Sequence, residues 1–216
     1  MALSIDIISD VVCPWCYIGK RRIEAALALY ARQNPAAAKP GVTWRPFQLN
    51  PDLPPEGMSR QEYVTRKFGA ARGKDVYARV AGVGATVGIA FAFDKIARQP
   101  NTLAAHSLIG LALQFGLQDP VKEALLHAYF IDGVDLTKTE NLVAIATAAG
   151  LDETAVKKCL ADPRARAAVQ EEDERARAIG VQGVPFFIFN GKVAISGAHE
   201  PEALLAAMRQ AETEAA

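Results

Sequence analysis

The stretch "VVCPWCYIGK", residues 11–20, places two cysteines three apart where an apolar run turns into a charged, helix-like one. Upstream, Leu3, Ile5 and Ile7 alternate within "LSIDIIS" (3–9), the period-two pattern of a strand. Downstream, Ile23, Leu27 and Tyr30 recur at spacings of four and three, the apolar stripe of an amphipathic helix that should end near Asn34-Pro35. Extended backwards, the stripe reaches Lys20 and then Cys16. Cys16 is therefore expected on the inward face, and Cys13 exposed at the helix tip.

Three readings of the pair compete: a redox centre, half of a metal site, or two inert buried thiols. C-x-x-C after a strand and opening a helix suits the first. A thiolate at a helix N-terminus meets free backbone N–H groups and the positive end of the dipole. Such settings lower a cysteine pKa into roughly the 3.5–7.5 range. Cys16, one turn further in, could then attack a mixed disulfide formed at Cys13. Pro14 fits the first helical turn, where its missing N–H would be unpaired anyway. A structural zinc site needs four ligands, and the rest of the chain offers only Cys159 and three scattered histidines. No metal site is expected. Inert core cysteines leave the flanked Pro-Trp at a helix start unexplained.

Working outward, "GVTWRPFQL" (41–49) reads as a second strand that Pro46 confines to an edge or an end. "NPDLPPEGMS" (50–59) marks a boundary. From residue 51 to 179 nearly everything reads as helix, with Gly116 and Gly180 as stops and Pro120 and Pro163 near helix starts. "VPFFIFNGKVAIS" (184–196) carries two short β-rich runs about Asn190-Gly191, a two-residue hairpin signal. "EPEALLAAMRQAE" (200–212) closes the chain as a helix with Leu204, Leu205 and Met208 inward. The order is that of an α/β fold interrupted by a helical subdomain.

Lys plus Arg and Asp plus Glu both number 24 in the 216 residues. The balance favours neither nucleic acid nor an anionic membrane as a partner. The N-terminus lacks a basic n-region, and the uncharged run at 80–93 is too short to span a bilayer. A cytoplasmic protein is expected. Three cysteines suit transient chemistry better than a structural disulfide framework.

"CPWC" (13–16) with "GVPFFIFN" (183–190), "WRPFQLNP" (44–51), "PNTLAAHSL" (100–108) and "ISGAHEPEAL" (195–204) together resemble the DsbA-like thioredoxin superfamily. The match looks like its FrnE-like branch, related to kappa-class glutathione transferases and 2-hydroxychromene-2-carboxylate isomerase. The resemblance implies a thioredoxin-like domain from residues 1–50 and 180–216, with a large α-helical insertion at 51–179. It implies a thiol–disulfide oxidoreductase with Cys13 attacking, Cys16 resolving and Pro185 as a facing cis-proline. The Val184 backbone would then bind a peptide or thiol substrate like an added strand, beside Pro14 and Trp15. The expected partners are protein or small-molecule thiols and disulfides. No tightly bound cofactor is expected; glutathione is a candidate co-substrate, and a homodimer stays open.

Trp15 stands where periplasmic DsbA proteins carry histidine, which implies a weaker oxidant. The transferase and isomerase relatives typically carry serine at the Cys13 position. Their glutathione-dependent chemistry on a small aromatic compound is the alternative reading. Asn101 and His106 match a motif near the glutathione pocket in those relatives. Equally, Asn101-Thr102 could cap a helix, with His106 a surface or packing residue. Asp10 is a cap or an aid to proton transfer. Cys159, His127 and His199 read as structural, and "EEDERARA" (171–178) as a solvated helix face.

Overall fold

In the computed structural model, which describes residues 2–69 and 72–213, the alternating N-terminal stretch forms strand β1 (Ser4–Ser9). Met1, Ala70, Ala71 and residues 214–216 of the segments assigned above lie outside the described residues. Ile5 and Ile7 point into the main core, and Ile8 into a smaller cluster with Phe47, Ala176 and Val181 on the opposite face. Helix α1 (Pro14–Gln33) follows, with Pro14 in its first turn and Asn34 at its C-terminal end. Strand β2 (Gly41–Pro46) runs parallel to β1, with Trp44 opposite Ile7, and Pro46 closes this edge strand.

Residues 51–179 are largely helical, as expected, but not throughout. Strand β3 (Met58–Ser59) precedes α2 (Arg60–Phe68) and α3 (Gly73–Thr86). A 3₁₀ turn (Phe93–Lys95) then leads into β4 (Arg98–Gln99), which pairs antiparallel with β3. Two-residue strands have no periodicity to read, and this ribbon exists only because its halves meet across some forty residues. Helices α4 (Leu103–Leu113) and α5 (Gln118–His127) come next, the latter running through a π-helical turn (Ala128–Asp132). Helices α6 (Thr139–Ala148), α7 (Glu153–Ala161) and α8 (Pro163–Ala178) complete this helical stretch. Asp152 and Asp162 cap α7 and α8 through the Ala155 and Arg164 N–H groups.

Strand β5 (Phe186–Phe189) returns antiparallel to β1, and β6 (Val193–Ser196) pairs with β5, giving the order β2-β1-β5-β6. Asn190 and Gly191 both take positive φ, 51° and 66°. Phe189 faces Val193, so the loop holds three residues rather than the two expected. Asn190 also ties the loop to the sheet and the last helix, its side chain accepting from the Ser4 N–H and donating to the Ala211 carbonyl. Helix α9 (Pro201–Thr213) buries Leu204, Leu205 and Met208, in contact with α1.

Two polar details of the sheet were not legible beforehand. The outer edge of β2 is met by the Gln118 side chain, which accepts from the Trp44 N–H at 3.0 Å and donates to its carbonyl at 3.1 Å. An edge strand is thereby closed to further pairing. Within the run 171–178, Glu171 and Arg175 pair in solvent as expected, but Asp173 is buried. Its carboxylate accepts from the Gln48 N–H at 2.8 Å and pairs with Arg177, pinning α8 to the chain after β2.

Candidate functional site

The two cysteines sit where β1 gives way to α1, and their surroundings are set by that junction. Cys13 is the N-cap residue of α1, in extended conformation (φ −95°, ψ 112°), and the first turn carries no acidic residue. Cys16 lies one turn inside and is fully buried. Contrary to expectation, Cys13 is also buried, at 4 % exposure. The reason is tertiary: the loop before β5 covers it, and its Sγ donates to the Val184 carbonyl at 3.4 Å. The Val184–Pro185 peptide is cis. Gly19 of α1 lets the Pro185 ring approach, since a Cβ there would meet Pro185 Cγ at 2.8 Å. The helix and the proline loop are thus packed face to face around the Cys13 sulfur.

The pair is electrostatically unequal. The hydrogen bond from Cys16 holds the Cys13 thiol below its ordinary value, and the Trp15 and Cys16 N–H groups act the same way against burial and the Asp10 charge. Burial pushes Cys16 well above the ordinary thiol value, and the neighbouring Cys13 adds to it. Cys13 therefore ionises more readily than Cys16. This is the asymmetry that nucleophilic attack followed by resolution requires.

Beneath the pair lies a buried polar group that the sequence only hinted at. Asp10 is fully buried; its carboxylate accepts from the Leu49 N–H at 2.8 Å and meets His106 Nε2 at 3.2 Å. Burial works to raise the Asp10 carboxyl, but His106, the Leu49 N–H and Lys122 together hold it below its ordinary value. His106 is buried rather than on the surface, and it reaches from α4 to the base of the cysteine loop. Lys122 of α5, also fully buried, was missed altogether. Its signal was a polar residue on an apolar stripe, with Leu126 and Tyr129 four and seven residues on.

The remaining predicted residues fall into two groups. Pro14 and Trp15 stand at the start of α1 beside Cys13, with Trp15 40 % exposed. Asn101 is engaged by the chain itself: it accepts from the Leu103 N–H at 2.9 Å and from Gln48, and donates to the Leu53 carbonyl at 2.6 Å. It binds the first N–H of α4, whose N-cap residue is Thr102, and ties down the boundary loop. Cys159 is half-buried on α7, with Sγ 3.5 Å from the Ser107 carbonyl, and burial pushes its thiol up. His127 pairs with Asp132 in solvent, and His199 meets the Ser196 carbonyl. A cavity of about 640 Å³ opens between β2, α4, α7 and α8, lined in part by Trp44, His106, Phe115 and Cys159. Neither Cys13, Cys16, Asn101 nor Pro185 lines it. Among the described residues no three His, Cys, Asp or Glu side chains gather as a metal site, and no helix is long and apolar enough to cross a membrane.

Comparison with known proteins bears on the fold and the family. The chain is similar to the probable DsbA oxidoreductase SCO1869 of Streptomyces coelicolor, at 31 % identity and a TM-score of 0.88, covering 98 % of this chain and 91 % of that one. It shares its fold with 2-hydroxychromene-2-carboxylate isomerase, at 18 % identity and a TM-score of 0.63 over 98 % of each chain. It also shares it with the cytosolic disulfide reductase DsbM of Pseudomonas aeruginosa solved with GSH, at 15 % identity and a TM-score of 0.57 over 97 % of this chain and 96 % of that one. Residues 4–209 match the DSBA-like thioredoxin domain, and with the cysteine pair at the α1 N-terminus this places the chain in the DsbA-like thioredoxin family.

Proposed function

We propose that the protein is a thiol–disulfide oxidoreductase working through Cys13 and Cys16. The observation that carries this reading is the unequal pair: a thiol at a helix N-terminus whose ionisation is favoured, a buried one a turn below whose ionisation is opposed, and the Val184 carbonyl 3.4 Å from the first sulfur. In the reducing direction the Cys13 thiolate attacks one sulfur of a substrate disulfide, and the other sulfur leaves with the electron pair. Cys16 then attacks the Cys13 sulfur, releasing the second substrate thiol and closing the Cys13–Cys16 bond. The substrate loses its disulfide, and the protein gains one. Val184 and Pro185 form the wall against which an extended thiol or peptide lies, with the Val184 carbonyl accepting from substrate once the Cys13 proton is gone. Exposed Trp15 supplies an apolar contact beside it.

Glutathione, or another cellular thiol, resets the pair, a role consistent with the fold shared with a glutathione-bound disulfide reductase. A reducing, cytoplasmic setting suits a dithiol that cycles without a bound cofactor. The glutathione-dependent isomerase alternative is disfavoured by Cys13 and by the cavity between β2, α4, α7 and α8, which neither cysteine lines. Turbidimetric reduction of insulin, with dithiothreitol as reductant, tests the proposal. Wild type should accelerate precipitation, and Cys13→Ser and Cys16→Ser should each abolish the acceleration. Full activity in Cys13→Ser would sink it.

A further inference from the structure

The cavity between β2, α4, α7 and α8 has no part in the exchange just described, since neither Cys13 nor Cys16 lines it. At about 640 Å³ it falls within the roughly 300–1,000 Å³ of small-molecule sites. Its wall is mainly apolar, with Trp44 from β2, Ile109 from α4 and Val169 from α8 among the buried side chains. Leu113 and Phe115 belong to the same wall, yet they are 49 % and 56 % exposed. Large apolar side chains left in water beside a concave apolar wall mark a place where a bound apolar body would cover them.

A glycine points the same way. Gly110 lies inside α4, where glycine weakens a helix relative to alanine. Neither of the usual reasons for a glycine applies to it. Its φ is not positive, and a Cβ built on it would meet nothing within 4 Å. Gly110 lines the cavity, so a larger side chain here takes its room from the cavity and not from a neighbour.

The polar groups of the lining say what kind of molecule fits. The buried ones are already engaged by the protein: His106 by Asp10, Ser107 by the Leu103 carbonyl, and Gln118 by the backbone of Trp44. The charged ones mostly cancel. Arg45 pairs with Asp6 and Glu172, and Arg164 pairs with Asp162, which also caps α8. Lys158 remains, exposed on α7 and without an ion pair among the described residues. It adds to the field on Asp162 but does not pair with it. An apolar wall whose buried polar groups are satisfied, beside one unmatched cation, complements an apolar chain that ends in a single negative charge.

We infer that this cavity binds an aliphatic monocarboxylate, its chain lying between α4, α7 and α8 and its carboxylate at Lys158. Cys159 lines the same cavity, so a bound chain covers its thiol. The inference uses no step of cysteine exchange and stands or falls separately from it.

Octanoate, titrated calorimetrically into the full chain, is the probe, with octanol and octyltrimethylammonium as its neutral and cationic counterparts. Wild type should bind one octanoate per chain, about tenfold tighter than either counterpart, the difference made by one charge-assisted contact. Lys158→Gln should remove that preference and leave octanol binding unchanged. Gly110→Leu should weaken octanoate by more than about tenfold, as a blocked cavity requires, while its thermal midpoint stays at or above that of wild type. Saturating octanoate should slow alkylation of Cys159 by N-ethylmaleimide about tenfold and leave the rate at Cys13 unchanged; mass spectrometry of the peptides separates the two. Absence of saturable octanoate binding, or binding that Gly110→Leu leaves intact, would overturn the inference. So would equal affinities for octanoate and octanol. If Gly110→Leu does not fold, the Cys159 labelling of wild type decides, because saturable binding that leaves this thiol unprotected lies elsewhere and refutes the site.

Discussion

Gly19→Ala probes the contact on which the site geometry depends. Gly19 is buried in α1 nearly two turns below Cys13, and an added Cβ would stand 2.8 Å from Pro185 Cγ and 3.3 Å from Phe187 Cζ. Ordinary contacts begin near 3.4 Å, so about 0.6 Å must be taken up by α1 or by the Pro185 loop. Phe187 is fully buried in β5 behind that ring, which leaves the loop little room to retreat along the sheet. If the loop moves outward by that amount, the Cys13 Sγ to Val184 contact opens from 3.4 Å to about 4.0 Å, the limit for a sulfur hydrogen bond. Alanine favours a helix over glycine by about 1 kcal/mol, whereas overpacking a core costs about 1–3 kcal/mol. The variant should therefore be about 1 kcal/mol less stable in urea denaturation. Exchange activity should fall further, by about tenfold, because misplacement of a binding wall by a fraction of an ångström acts on the transition state directly. A Gly19→Ala protein more stable than wild type and fully active would mean that α1 and Pro185 are not in contact as described.

Four further outcomes follow from the same geometry. Asp10→Ala should cost about 3–5 kcal/mol, since it leaves His106 and the Leu49 N–H buried without their acceptor; equilibrium unfolding at pH 7 checks the loss. Because Asp10 is held below its ordinary value of 3.8, its contribution is complete above that pH and is lost as pH falls through the folded value, so acid unfolding should be less steep in Asp10→Asn. Gln118→Ala should strip both edge partners from Trp44, costing about 1–3 kcal/mol and speeding hydrogen exchange at the Trp44 amide. Iodoacetamide should alkylate Cys13 with a midpoint below 9.0 and leave Cys16 untouched in the folded protein; mass spectrometry of the labelled peptides distinguishes them.

Much of this was local enough to read along the chain. The alternation of Leu3, Ile5 and Ile7 marks β1, the stripe from Cys16 to Tyr30 orients α1, and Pro14 with Cys13 at the cap sets one thiol above the other. Asn190 and Gly191 announce the β5–β6 turn, since few other residues accept positive φ there. Side-chain period and turn chemistry are properties of neighbours in sequence, and neighbours in sequence suffice to specify them.

What lay beyond reach depended on residues brought together from afar. That Cys13 is covered follows from Val184, 171 residues away, and the β3–β4 ribbon from strands too short to show a pattern. The pairing of Asp10 with His106 spans 96 positions. Asp173 and Lys122 look like ordinary charges on amphipathic helices until packing shows which face is inward. Burial turns a polar group from a solvated ornament into an energetic commitment, and burial is decided only when the elements close on one another. The sequence by itself determined the pair, its helix and the order of its two thiols. Which distant groups meet Asp10 beneath them was settled by packing, because His106 and Lys122 belong to helices that approach β1 in space and not along the chain.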